Sequence, residues 1–121
     1  MKASELMIGD FVRQKYSNLL LRVSVVNSPY IQADGEGGEF KEDTIEPILL
    51  TPEILKKNNA HKELLMGEQR HFTYSIDDLK LLAIYDADFS FQINGGASKI
   101  KYVHELQHVL RLCGIYKEIV L

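Results

Sequence analysis

One cysteine, Cys113, stands in 121 residues, so an intramolecular disulfide is impossible and the disulfide-rich secreted class is excluded. Eight glycines and three prolines are too few for a collagen-like, low-complexity or disordered chain. No apolar run approaches the roughly 18 residues needed to span a bilayer. Met1-Lys2-Ala3-Ser4-Glu5 runs into a broken apolar stretch without the core and cleavage pattern of a signal peptide. A cytoplasmic chain with no membrane association is therefore expected. Positive charge is also in deficit: 14 Lys plus Arg face 17 Asp plus Glu, a net charge of −3. Up to residue 50 there are 5 basic and 8 acidic residues, and beyond it 9 of each, so the net charge sits in the N-terminal part. Binding to nucleic acid is driven by clustered Lys and Arg that neutralise phosphates, and this balance supplies no general push toward it.

What is present is an ordinary core-forming composition, 45% hydrophobic and 26% charged. A chain of this length buries roughly two-thirds of its unfolded surface and needs neither disulfide nor metal to fold. Gly9-Asp10 reads as a turn feeding a strand at Phe11-Val12-Arg13. Ser17-Asn18 then connects into Leu19 to Asn27. There Leu19, Leu21, Val23 and Val25 alternate with Leu20, Arg22, Ser24 and Val26, the pattern of a half-buried strand. A break at Ser28-Pro29 precedes a short strand, Tyr30-Ile31-Gln32-Ala33. Phe40 and then Ile45 to Leu50 supply the last apolar β segments of this part. Closely spaced short strands of this kind predict a small curled antiparallel sheet, SH3-like in its favoured version.

Thr51-Pro52-Glu53 opens a short helix to about Lys57. Thr51 caps, Pro52 suits the first turn, Glu53 complements the dipole, and Asn58-Asn59 ends it. Three strands are read next, about Arg70–Ser75, Leu79–Tyr85 and Phe89–Ile93, with a turn at Asp86-Ala87-Asp88. Ser75-Ile76-Asp77-Asp78 could equally cap a helix carrying Ile76, Leu79 and Leu82 on one face. The alternation of Leu79, Leu81, Ala83 and Tyr85 favours the strand. After a turn at Asn94-Gly95-Gly96, Ser98 is the expected N-cap of an amphipathic helix from Lys99 to Cys113, with Gly114 as its left-handed cap. Glu118 to Leu121 is expected to return as an edge strand. The fold class is thus α+β: residues 1–50 form a barrel-like β lobe and residues 51–121 an α+β lobe, possible parts of one domain.

Inside the last helix lies His104-Glu105-Leu106-Gln107-His108, which satisfies the H-E-x-x-H pattern of zinc metallopeptidases. Residues four apart share a helix face, so two imidazoles can hold one Zn²⁺ while the glutamate polarises its water. On a wheel of about 100° per residue the apolar arc takes Val109, Cys113, Leu106, Leu110, Val103 and Ile100. His104 and His108 fall on the polar side with Lys101 and Arg111, cations that oppose a bound metal. The extended form of the motif wants Gly and His where Arg111 and Gly114 stand, and Glu118 is the sole acid after His108. Two solvated histidines are therefore the favoured reading, and no catalytic, metal or cofactor site is expected. Cys113 is expected to be a buried free thiol. Between Asp34 and Glu46 lie six acidic residues and one lysine. Neither calcium-loop nor dinucleotide-loop spacing is met there, and a solvated hairpin is the simplest reading.

Three segments, Glu5-Leu6-Met7-Ile8-Gly9-Asp10-Phe11-Val12, Ile45 through Leu55, and Ile100-Lys101-Tyr102-Val103-His104-Glu105-Leu106-Gln107, resemble a group of small proteins encoded in prophages and mobile elements of Bacteroides-type bacteria. In that group the last motif commonly has the form Y-V-H-x-L-Q, and neither the acid at 105 nor the histidine at 108 is fixed. The resemblance implies a setting and no mechanism: a mobile-element accessory protein in a bacterial cytoplasm. The leading functional expectation is a non-catalytic interaction module with another protein as partner. Its expected contact surfaces are the sheet edge near Tyr30 to Phe40 and the helix face around His104, His108 and Arg111. The alternatives are a nucleic-acid-binding small barrel and, disfavoured, a zinc hydrolase using His104, Glu105 and His108.

Overall fold

The structure is a computed structural model and describes residues 1–64, 72–77, 79–83, 91–93 and 99–121. It is α+β, with two antiparallel sheets and two α-helices among the described residues. The chain divides into two compact units, Met1–Ile48 and Leu49–Leu121.

The first unit contains β1 (Phe11–Gln14), β2 (Leu20–Asn27), β3 (Tyr30–Ala33), β4 (Phe40–Lys41) and β5 (Ile45–Pro47), in the order β4-β3-β2-β1-β5. The fifth strand returns to the first, pairing Val12 with Pro47 and Gln14 with Ile45. That order is compatible with the SH3-like arrangement expected from the strand spacing. Leu6, Val12, Leu21, Val23, Ile31 and Ile45 form the centre of its apolar cluster. The turn before β1 is fixed by the buried Asp10. Its Oδ2 accepts from the Met7 N–H at 2.8 Å, while Gly9 takes the positive φ of 93° that the reversal requires. The alternation read along β2 holds only to Val23. A bulge between Val23 and Val25 shifts the register against β3, so Val25 turns outward and Val26 packs on the core.

β5 stops at Pro47, short of the Leu50 expected from the apolar pattern, and the second unit begins with an isolated bridge between Leu49 and Tyr102. Helix α1 (Pro52–Lys57) follows as expected, with the Thr51 hydroxyl accepting from the Ile54 N–H at 3.3 Å. The sheet comprises β6 (His61–Leu64), β7 (Phe72–Ile76), β8 (Leu79–Ala83), β9 (Phe91–Ile93) and β10 (Lys99–Ile100), in the order β10-β9-β8-β7-β6. The described residues here form strands, β7 ending at Ile76 and β8 starting at Leu79, and Tyr74↔Leu81 and Ile76↔Leu79 set their register. Buried Tyr74, Ile76, Leu79, Leu81 and Phe91 fill one side. Tyr74 meets Phe91 edge-on at 6.0 Å between ring centroids. The expected strand positions Arg70, His71, Tyr85 and Phe89, the turns at 86–88 and 94–96, and the cap Ser98 lie outside the described residues.

Helix α2 spans Val103–Leu112, four residues shorter at its start than the apolar spacing predicts. Lys99 and Ile100 are instead drawn into the sheet by pairing with Gln92 and Phe91. The helix closes as expected: Gly114 takes φ 74°, and the N–H groups of Gly114 and Ile115 return to the carbonyls of Arg111 and Leu110 at 3.0 and 2.8 Å. Residues 118–121 form no strand; side chains of α1 and its cap hold them. Among the described residues no helix is long and apolar enough to cross a membrane.

Candidate functional site

The H-E-x-x-H sequence starts at the second residue of α2, and its glutamate is engaged by that helix's own first turn. Glu105 Oε1 accepts from the backbone N–H of Tyr102 at 2.9 Å and of Lys101 at 3.0 Å. The first N–H groups of a helix have no partner within it, and a carboxylate three residues in can reach back to them while complementing the positive dipole end. Tyr102, in the cap position, has a hydroxyl too distant from its own backbone to cap the helix as Ser or Thr would. Glu105 thus carries the capping role alone, and the carboxylate that the zinc reading needs beside a metal-bound water is turned toward main-chain amides.

The histidines correct the wheel reading. His104 is only 6% exposed and His108 is half-buried, so neither stands on a fully solvated face. The buried side of α2 is centred on Val103, Leu106, Gln107 and Leu110. This is rotated from the arc drawn through the apolar residues alone, and it brings in the flanking His104. The His104 ring stacks on Tyr102 at 6.0 Å with planes 9° apart and meets His108 edge-on at 5.7 Å. Cys113 is also corrected: it is exposed, because the helix ends at Leu112 and Cys113 already belongs to the reversal made by Gly114. Among the described residues no three His, Cys, Asp or Glu side chains form a group able to hold a metal ion.

The acidic stretch of the first unit is divided in use. Glu42 Oε2 accepts from the Ala3 N–H at 2.8 Å and fixes the N-terminal turn Ala3–Glu5. Glu46 pairs with Arg13 at 3.1 Å, and Asp34 lies 3.9 Å from Arg22. Glu36, Glu39 and Asp43 remain exposed around β4, with Gly35 and Gly38 at positive φ shaping the loop between them. On the outer face of the sheet Leu20, Val25 and Tyr30 are exposed, Tyr30 paired with Lys41 of β4 and Leu20 at the far end of β2 beside β1. Val25 reaches this face through the bulge, a feature with no signature in the alternation of residues 19–26. β4 is an edge strand of two residues.

In the second unit a groove of about 490 Å³ is lined by Pro52, Glu53, Lys56, Ala60, Lys62 and Tyr74. Its charges are mixed, and the Lys62 ammonium sits over the Tyr74 ring at 5.8 Å. No family model, curated protein or solved structure matches the chain, so function is argued from these side chains.

Proposed function

We propose that the protein is a non-catalytic interaction module that docks a basic protein surface on the outer face and β4 edge of its N-terminal sheet. The observation that carries this reading is exposed Leu20, Val25 and Tyr30 on the outer face together with exposed Glu36, Glu39 and Asp43 flanking β4, which outnumber the exposed Arg22 and Lys41 there. Apolar and aromatic side chains supply the contact area of an interface, and an excess of one charge around them selects the partner and speeds encounter. The same charge opposes a phosphate backbone, which disfavours nucleic acid at this surface. The helix-face surface is set aside because His104 is buried. The zinc-hydrolase reading loses its base to the start of α2. The resemblance to prophage and mobile-element proteins supports a setting in a bacterial mobile element. Affinity capture under element-induced and uninduced conditions, using wild type and the reversal Glu36→Lys/Glu39→Lys/Asp43→Lys, tests the reading. A partner captured by the wild type and lost with the reversal is expected. Equal capture by both proteins, or no partner in either condition, refutes it.

A further inference from the structure

The end of α1 holds a side chain that reads peptide backbone. Asn59 adopts left-handed backbone with φ 60°, and the N–H groups of Asn59 and Ala60 return to the carbonyls of Lys56 and Leu55 at 3.0 Å each. This reversal fixes Asn58, which is 3% exposed. Its Nδ2 donates to the Ile54 carbonyl and to the Val120 carbonyl, both at 2.8 Å, and its Oδ1 accepts from the Val120 N–H at 2.7 Å. One amide therefore satisfies both backbone groups of a single residue, as a neighbouring strand would. Lys117 Nζ donates to the Asn58 carbonyl at 2.7 Å, and Lys57 Nζ donates to the Leu121 carbonyl. Between these ties Ile119 is 3% exposed, while Glu118 and Val120 on either side are exposed.

We propose that residues 117–121 are a detachable strap over a peptide-binding seat. The vacated seat accepts an extended peptide with a branched aliphatic residue in the position of Ile119. The mode is backbone pairing plus one apolar anchor, the division of labour by which extended peptides are recognised at sheet edges. The strap belongs to no strand ladder, and one buried side chain with a few hydrogen bonds is opposed by the entropy of ordering its residues. Such a segment opens locally, well below the free energy of global unfolding. The Asn58 side chain contacts only main chain in the strap, so it adds no side-chain preference of its own, and the buried position of Ile119 supplies the apolar selectivity.

The test uses the full-length chain carrying Ile119→Asp, which releases the strap, and a fluorescent peptide copying residues 116–121 followed by anisotropy. The peptide is expected to bind this variant at least about tenfold more tightly than wild type. Adding Asn58→Ala is expected to remove the gain, and a peptide with Asp at the anchor position is expected not to bind. A folded Ile119→Asp chain that binds no peptide overturns the proposal. If that variant does not fold, native-state hydrogen exchange of the wild type decides. Exchange of the Val120 amide well before those of Leu106 and Leu110 supports a detachable strap, and exchange of all three only through global unfolding overturns it.

Discussion

Replacing Glu105 by alanine separates a structural glutamate from a catalytic one. The substitution removes the acceptor for two N–H groups, those of exposed Lys101 and half-buried Tyr102. The Lys101 amide turns to water at little penalty, so most of the loss comes from the Tyr102 amide. Removal of a helix cap costs about 1 kcal/mol, within a range of about 0.5–2. Loss of a negative charge from the first turn adds about 0.3–1 kcal/mol. Together the expected destabilisation is about 1–2 kcal/mol, which lowers Tm by about 4–8 °C in a chain of this size. Glu105→Gln keeps an acceptor oxygen but no charge and should lose about half as much. Urea unfolding followed by far-ultraviolet circular dichroism measures both, with an unchanged m value showing that the denatured state is not the cause. If Glu105→Ala stays within about 0.5 kcal/mol of wild type, the range of an ordinary surface substitution, the capping role is refuted and the carboxylate becomes available for other chemistry.

Leu81 lies fully buried on β8, the central strand of the second sheet, and Leu81→Ala should cost about 2–5 kcal/mol in the same assay. A loss below about 1 kcal/mol would contradict its place in the core. Gly114 has open space where a Cβ would sit but a φ of 74°, so Gly114→Ala should destabilise through backbone strain alone, by about 1–2 kcal/mol; a neutral outcome would contradict the left-handed cap. Cys113 is exposed and should react with one equivalent of a disulfide thiol reagent in the native protein. Protection until unfolding would restore the buried reading.

Features set by local chemistry were legible before the fold was. Thr51-Pro52 marked the start of α1, Asn58-Asn59 its end, and Gly114 the end of α2, because caps and left-handed positions are determined by the residues that occupy them. Leu79 and Leu81 announced β8 through alternation. Features set by partners distant in sequence were not legible. β6 begins with three exposed polar residues, His61, Lys62 and Glu63, and is a strand because β7 pairs with it. Lys99 and Ile100 fit a helical period yet bond to β9, which moves the start of α2 onto Tyr102 and gives Glu105 its task. The wheel assumed that only apolar residues mark the buried side, whereas Gln107 and His104 share it. The sequence clue to that task was present in the third helical residue after the cap, a capping pattern obscured because tyrosine occupies the position usually held by serine or threonine. Asn58 was read as a helix stop, and its grip on Val120, 62 residues away, has no local trace.

Isothermal titration of the captured partner against wild type, Leu20→Asp/Tyr30→Asp and Glu105→Ala tests most directly where this protein acts. The outer-face double variant should lose affinity by at least about a hundredfold, as expected when contact residues at an interface centre are disrupted. Glu105→Ala should bind as the wild type does at temperatures where it is folded. Unchanged binding by the outer-face variant, or loss of binding confined to Glu105→Ala, would contradict a docking role for the N-terminal sheet.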